Sequence, residues 1–154
     1  MPSSIEDLKQ LKPGEFQNWV IAQITGIQTN RKSGDMGIDG WTFLLHEPVQ
    51  VKQSESVGRN VVDNFETAMK RAKKNRGYIV AFSFTSGSHE EVARVRSEKL
   101  EIHLVTVEQM LNEPEHLYRM GLSPGRKDYF EHMPSLDPSR RTAEELMESD
   151  RTNR

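Results

Sequence analysis

A three-layer α/β domain built on a central mixed sheet is the fold class this sequence predicts, and three observations carry the prediction. Apolar residues recur at helical and at strand spacing in alternation through the first 112 residues, the arrangement that packs helices on both faces of one sheet. Residues 78–84 form a nearly continuous apolar run of strand length, as expected of a strand covered on both sides. Residues 41–45 and 49–53 are two further strand-like stretches, close enough to pair as a hairpin.

The elements follow in order. Ser4, with Asp7 three residues on, caps a short N-terminal turn that Pro13-Gly14 interrupts. Phe16, Trp19, Val20 and Ile24 then recur at three- and four-residue steps, which predicts a helix with one apolar stripe, closed by Gly26. A short strand is expected at 27–29, followed by a loop over 30–40 that contains Gly34, Gly37 and Gly40. The hairpin strands are joined by a tight turn at His46-Glu47-Pro48. Gly58 opens a second helix striped by Val61, Phe65 and Met69, with Val62 beside them. Its basic end, residues 70–76, complements a helix C-terminus, and Gly77 is expected to stop it. After the apolar strand, Ser88 and Glu91 form a capping box for a third helix. Residues 100–105 alternate as another strand, and Thr106 with Gln109 caps a short helix. Thr142 and Glu145 repeat the capping pattern near the C-terminus.

Composition bounds the rest. The 154 residues suit one domain with an appendage. Lys+Arg 21 against Asp+Glu 23 leaves a formal net charge of -2, so no strong overall field advertises a polyanion or a membrane surface. Only 34% of residues are hydrophobic, and the shortage is concentrated beyond Glu113. Residues 1–112 therefore read as a domain with its own core, and residues 113–154 as a polar extension, partly disordered or packed on that domain. The absence of cysteine removes thiol catalysis, thiolate metal sites and a disulfide framework. With no basic n-region and apolar h-region at the start, and no apolar stretch of spanning length, a cytoplasmic protein without membrane contact is expected. The histidines have no ligand spacing, and no glycine run leads into a phosphate-binding G-K-[ST]. An EF-hand loop begun at Asp35 would need a glutamate where His46 stands.

Chemistry concentrates in the hairpin. In Val49-Gln50-Val51-Lys52, strand alternation sends the valines to the core and Gln50 and Lys52 to the opposite face. With the turn near His46-Glu47, Trp41 is expected roughly opposite Lys52, and Asp39 just past the end of the partner strand. A carboxylate, an amide oxygen and an ammonium then converge at one end of a strand pair. That set suits phosphodiester hydrolysis, because Mg²⁺ takes hard oxygen ligands and one carboxylate, a carbonyl and a substrate phosphate can suffice. A neighbouring lysine can orient the attacking water or stabilise the oxyanion. On spacing alone, an ordinary amphipathic hairpin with a polar outer face is the favoured reading, because a D…QxK pattern is short and common.

The surrounding residues narrow the choice. Lys32-Ser33-Gly34-Asp35-Met36-Gly37-Ile38-Asp39-Gly40-Trp41, followed by Val49-Gln50-Val51-Lys52-Gln53-Ser54, resembles the catalytic core of Mrr-type restriction endonucleases. These are a branch of the PD-(D/E)xK nuclease superfamily marked by a G-x-D-G hairpin followed by QxK. Phe16-Gln17-Asn18-Trp19-Val20 is similar to the family's first helix, Gly77-Tyr78-Ile79-Val80-Ala81-Phe82 to a later strand, and Leu100-Glu101-Ile102-His103-Leu104 to its closing strand. The stretch around Gln53-Ser54 and Gly58-Arg59-Asn60 is also similar to nuclease-like domains attached to DNA methyltransferases.

The resemblance implies a restriction-endonuclease-like fold and a Mg²⁺-dependent DNA endonuclease, with Mn²⁺ able to substitute, working in a restriction or restriction-modification setting. A homodimer and an attached or associated methyltransferase are the implied protein partners. Carried over by position, Asp39 is the metal-binding aspartate, Gln50 fills the second acidic position, Val51 lends its backbone carbonyl and Lys52 is the catalytic lysine. Glu15 is the candidate for the first-helix carboxylate that many members add. Lys32 and Arg59 border the Asp39 site as DNA contacts, and Asp35 shapes its loop. A non-catalytic DNA-binding module on the same fold, or a junction-resolving nuclease, stands beside this reading.

Overall fold

The computed structural model describes residues 2–24, 27–28, 37–43 and 45–122. Lys32, Asp35, the stop at Gly26, the cap at Thr142 and the extension beyond residue 122 lie outside the described residues. The chain runs α1 (Ile5–Gln10), α2 (Pro13–Gln23), β1 (Ile27–Gln28), β2 (Gly40–Trp41), β3 (Pro48–Val51), α3 (Arg59–Arg71), β4 (Arg76–Ala81), α4 (Ser86–Ser97), β5 (Glu101–Thr106), α5 (Val107–Asn112) and α6 (Pro114–Arg119). Five strands form one sheet in the order β1-β2-β3-β4-β5. The first three pair antiparallel, while β3, β4 and β5 pair parallel, so the sheet is mixed as predicted. Parallel neighbours need crossover connections, and α3 and α4 supply them.

Alternation along the strands sorts the core into two layers. Val49, Tyr78, Val80 and Val105 pack against Leu8, Phe16, Val20, Ile21 and Met110 from α1, α2 and α5. Leu117 of α6 and Leu122 close the same layer, so the packed core continues past Asn112. On the opposite face, Ile79 and Ile102 meet Val62, Phe65 and Met69 of α3 and Val92 and Val95 of α4. Burying an aromatic or branched side chain such as these stabilises the fold by roughly 1.5–3 kcal/mol each, before entropy is counted. These three layers are the arrangement the sequence predicts.

Several local expectations change. Ser4 does cap α1, accepting from Asp7 N at 3.1 Å, and Thr106 and Gln109 form a reciprocal box at 3.1 and 2.9 Å. The cap of α4, however, is Thr85, whose Oγ1 accepts from Ser88 N at 3.3 Å. Ser88 is buried one turn in, and Glu91 is drawn to Arg94 instead of to a cap. Gly77 does not end α3. The helix stops at Arg71, Lys73 takes the left-handed conformation (φ 59°), and Gly77 lies inside β4. It is needed there because a Cβ would stand 2.9 Å from two Phe65 ring atoms and 3.0 Å from the Pro48 carbonyl oxygen.

The hairpin register also differs from expectation. Trp41 pairs with Pro48 and Gly40 with Val49, so Trp41 is not opposite Lys52. Thr42 starts the turn early: its N–H donates to Glu47 O at 2.8 Å and its hydroxyl accepts from Glu47 N at 2.9 Å. Phe43 and Leu45, which look like strand residues, sit in this turn with 65% and 62% of their surface exposed.

Candidate active site

The short β2 strand creates the site. It offers only two residues to β3, so β3 runs on beyond Val49 with one edge uncovered by regular strand pairing. The chain entering β2 covers part of that edge. Asp39 N donates to Val49 O at 2.8 Å, and the Asp39 carboxylate Oδ2 accepts from Val51 N at 2.7 Å. A carboxylate thus takes the place of a strand carbonyl, in a short charge-assisted bond. Carbonyl and N–H of one strand residue point to the same edge, so the Val51 carbonyl shares this side with Asp39. On the outer side of Asp39, Gln17 of α2 reaches its carbonyl, with Nε2 at 3.4 Å.

Gln50 and Lys52 occupy the other parity of the strand. Gln50 is buried among residues of the α3 side; a Cβ on Gly37 would lie 4.0 Å from its Nε2 and 3.4 Å from the Ala68 Cβ. Gly37 itself has φ +88°, a left-handed conformation that favours glycine two residues before Asp39. The Gln50 Oε1 atom is buried with no hydrogen-bond donor among the described residues. Buried acceptors are almost always satisfied, so this oxygen is suited to an ion or a water. Asp39, the Val51 carbonyl and Gln50 Oε1 are all hard oxygen donors, the chemistry a Mg²⁺ or Mn²⁺ ion selects. These residues fit such an ion.

Beyond Val51 the sheet is deliberately irregular. Lys52 N still donates to Val80 O at 2.8 Å, but Phe82 N bonds Ser54 O at 3.0 Å, and the next bridge joins Val57 to Phe84. Six residues on this strand therefore span the same distance as four on β4. The bulge, with Ser56 at φ 52°, turns the chain outward and opens a cleft of about 540 Å³ between Lys52 and the start of α3. Lys52, Ser54 and Arg59 are among its lining residues. Asp39 and Gln50 do not line it, so Lys52 is the link between the Asp39 edge and the cleft. Gln53 secures the bulge by donating to Leu8 O at 3.1 Å and Leu11 O at 2.8 Å at the end of α1.

Compared with known families, residues 8–112 match the Mrr catalytic family model, described as a restriction endonuclease. The chain belongs to the Mrr-type restriction endonuclease family. It is a restriction-endonuclease-like nuclease domain, and DNA is the substrate its family implies. No curated protein and no solved structure matches the chain.

In this Mrr-type domain the remaining candidates separate. Glu15 is exposed, and its carboxylate turns back to its own helix, accepting from Lys12 N at 3.4 Å. Residues two apart on a helix point about 200° away from each other, so with Gln17 facing Asp39, Glu15 faces elsewhere. Gln17 is the α2 side chain that reaches the Asp39 main chain, and helix geometry is the signal that separates it from Glu15. Arg59 lines the cleft as the first residue of α3, steered by Glu90 at 3.5 Å and Glu91 at 3.4 Å.

A separate carboxylate group, Asp63, Glu66 and Glu91, has ligand atoms within 4.8 Å of one another between α3 and α4. Arg94 already serves this group, bonding Glu91 and reaching Glu66 at 2.8 Å, while Lys70 takes the other Glu66 oxygen at 2.9 Å. The Glu91 contact, followed by burial, pushes the Asp63 carboxyl up, whereas the Arg94 guanidinium holds Glu91 down. The group is a salt-bridge network joining two helices, distinct from the Asp39 edge. No helix among the described residues is long and apolar enough to cross a membrane.

Proposed function

We propose that this Mrr-type domain is a divalent-metal-dependent endodeoxyribonuclease, using Mg²⁺ or Mn²⁺, that hydrolyses the DNA backbone at the Asp39 edge of β3. The observation carrying the reading is the 2.7 Å bond from Val51 N to Asp39 Oδ2, because it fastens the carboxylate to the strand that bears Gln50 and Lys52. Asp39, the Val51 carbonyl and Gln50 would hold the ion. Bound there, the ion would supply charge neutralisation at the phosphate and a more acidic water.

The chain's own residues do the rest. The Asp39 main chain and carboxylate are both tied to β3, so the ligand needs little reorganisation when substrate arrives. Lys52 projects into the cleft without an ion pair to another described residue, leaving its ammonium available to a phosphate oxygen or to the attacking water. Arg59, at the far wall, steers the DNA backbone along the cleft. Lys32 is proposed to contact the backbone as well. Cutting both strands takes two such sites, so a homodimer is the proposed working unit. The proposed setting is cytoplasmic restriction or restriction-modification, with an attached or associated DNA methyltransferase as partner.

Supercoiled plasmid incubated with Mg²⁺ or Mn²⁺ tests the proposal, beside Asp39→Ala and Lys52→Ala. Nicking by the wild type alone is expected. If all three proteins bind DNA and none nicks it, the domain is a DNA-binding module on a nuclease fold. Cutting confined to branched DNA would instead identify a junction-resolving nuclease.

A further inference from the structure

We propose that the turn carrying Phe43 and Leu45 is a docking surface for this chain's own C-terminal segment, seated there by Tyr129 and Phe130. The proposal stands whether or not the domain cleaves DNA.

The turn is apolar where the rest of the described surface is not. Phe43 and Leu45 are 65% and 62% exposed, and among the described residues no other large hydrophobic side chain is so open. Their exposure does not come from a slack loop. Thr42 bonds Glu47 through both its N–H and its hydroxyl, and His46 N donates to Thr42 O at 3.1 Å. The Trp41 and His46 rings stack with centroids 4.5 Å apart. A turn fixed at these points holds two apolar side chains against water, and covering them is favourable.

The last described residues show what chain arrives beside it. Leu117 and Leu122 are buried, and Leu122 N donates to Leu117 O at 2.9 Å across Gly121, which has φ +93°. The Met120 carbonyl accepts from Arg76 and, at 3.0 Å, from the Tyr78 hydroxyl. That hydroxyl lies 3.2 Å from Glu47 Oε1. Two such contacts and one glutamate side chain therefore separate Met120 from the turn. The chain is delivered to the end of β2 away from Asp39.

Beyond Leu122 the first large apolar residues are Tyr129 and Phe130. Tyr129 is seven residues on, a reach of about 23–25 Å at full extension, which covers the span. A tether of this length gives the aromatic pair an effective concentration on the order of mM at the turn. A second copy has no such advantage, and two side chains from each partner fall short of the roughly 1,000 Å² that a specific interface needs. Tyr129 and Phe130 thus continue the layer that Leu117 and Leu122 begin to close.

The chain contains no cysteine, so introduced pairs report proximity in the full-length protein without background. Leu45→Cys with Glu131→Cys should close an intramolecular disulfide under mild oxidation at least about tenfold faster than Asn75→Cys with Glu131→Cys, because docking raises the local concentration at the turn alone. Asn75 is exposed and adjoins Arg76, so it controls for tether length. Adding Tyr129→Ser and Phe130→Ser should abolish the difference. Thermal melts supply a second measurement. Phe43→Ser with Leu45→Ser should lower Tm by about 3 °C or more, Tyr129→Ser with Phe130→Ser should do the same, and all four together should lose no more than either pair. Circular dichroism checks that each variant is folded. Equal closure rates, a Tm unmoved by the turn variant, or additive losses would overturn the proposal. Covalent dimers formed by Leu45→Cys alone, with a Tm that rises with protein concentration, would put a second copy on the turn and overturn it too.

Discussion

Replacing Asp39 separates its structural role from its chemical one, because the two substitutions available leave different groups behind. Asp39→Ala strands the half-buried Val51 N–H that now donates to Oδ2 at 2.7 Å. A donor left without an acceptor costs about 1–3 kcal/mol, and the bond lost is charge-assisted, so the middle of that range, about 2 kcal/mol, is expected. For a chain of 154 residues this corresponds to roughly 4–8 °C in Tm. Asp39→Asn keeps a carbonyl oxygen of the same reach, so its cost should be roughly half as large. Activity should follow a different order. Both variants lack the anionic ligand, and both should nick plasmid at least about a hundredfold more slowly than wild type, the scale of losing one preorganised electrostatic group. Thermal melts by circular dichroism and nicking with Mn²⁺ measure the two effects on the same preparations. An Asp39→Ala protein melting with wild type would refute the role given to the Val51 contact. Wild-type nicking by Asp39→Asn would refute the need for charge.

Three further outcomes follow from other contacts. Lys52→Ala should abolish nicking yet change stability by less than about 0.5 kcal/mol, because its ammonium supports no other described residue; a large loss of Tm would show that Lys52 is structural. Gly77→Ala should destabilise by about 1–3 kcal/mol through overpacking, since the new Cβ meets the Phe65 ring at 2.9 Å and the unyielding Pro48 carbonyl at 3.0 Å; a wild-type denaturation midpoint would mean the strands separate freely there. Asp63 has its folded pKa raised, first by Glu91 and then by burial, so between its unfolded and folded values the native state holds the extra proton and stability falls as pH rises. Asp63→Asn cannot ionise; its Tm should exceed the wild-type value above that window, with the gap closing in acid, and a gap independent of pH would dismiss the proton shared with Glu91.

Much of the fold was legible because period and parity are local properties. Phe16 and Val20 on α2, the apolar run of β4, and the Thr106–Gln109 box each declare themselves within a few residues and form the expected element, although β4 ends at Ala81, before the run of 78–84 does. The misreadings share a cause: tertiary contacts decide between two locally reasonable options. Gly77 could stop a helix or admit a close neighbour, and only the arrival of the Phe65 ring and Pro48 carbonyl makes it a strand residue. Ser88 and Thr85 are both competent caps, and the choice fell to the one three residues ahead of a buried serine.

The site shows the same division more sharply. Asp39, Gln50 and Lys52 were legible as a set because strand parity alone puts Gln50 and Lys52 on one face, whatever the register. The register was not legible, since Phe43 and Leu45 look like strand residues but are spent in a turn that Thr42 begins. The consequence favours chemistry. Had β2 continued to residue 45, a strand would have paired with β3 and Asp39 would have lain beyond its end. Because β2 stops at Trp41, the chain before it falls beside Val51, and the edge left over by a short strand becomes the place where the Asp39 carboxylate bonds backbone. Shortening a strand and placing Asp39 at the candidate site are here one structural event, which is why the misleading hydrophobic turn and the candidate active site lie at opposite ends of the same two-residue strand.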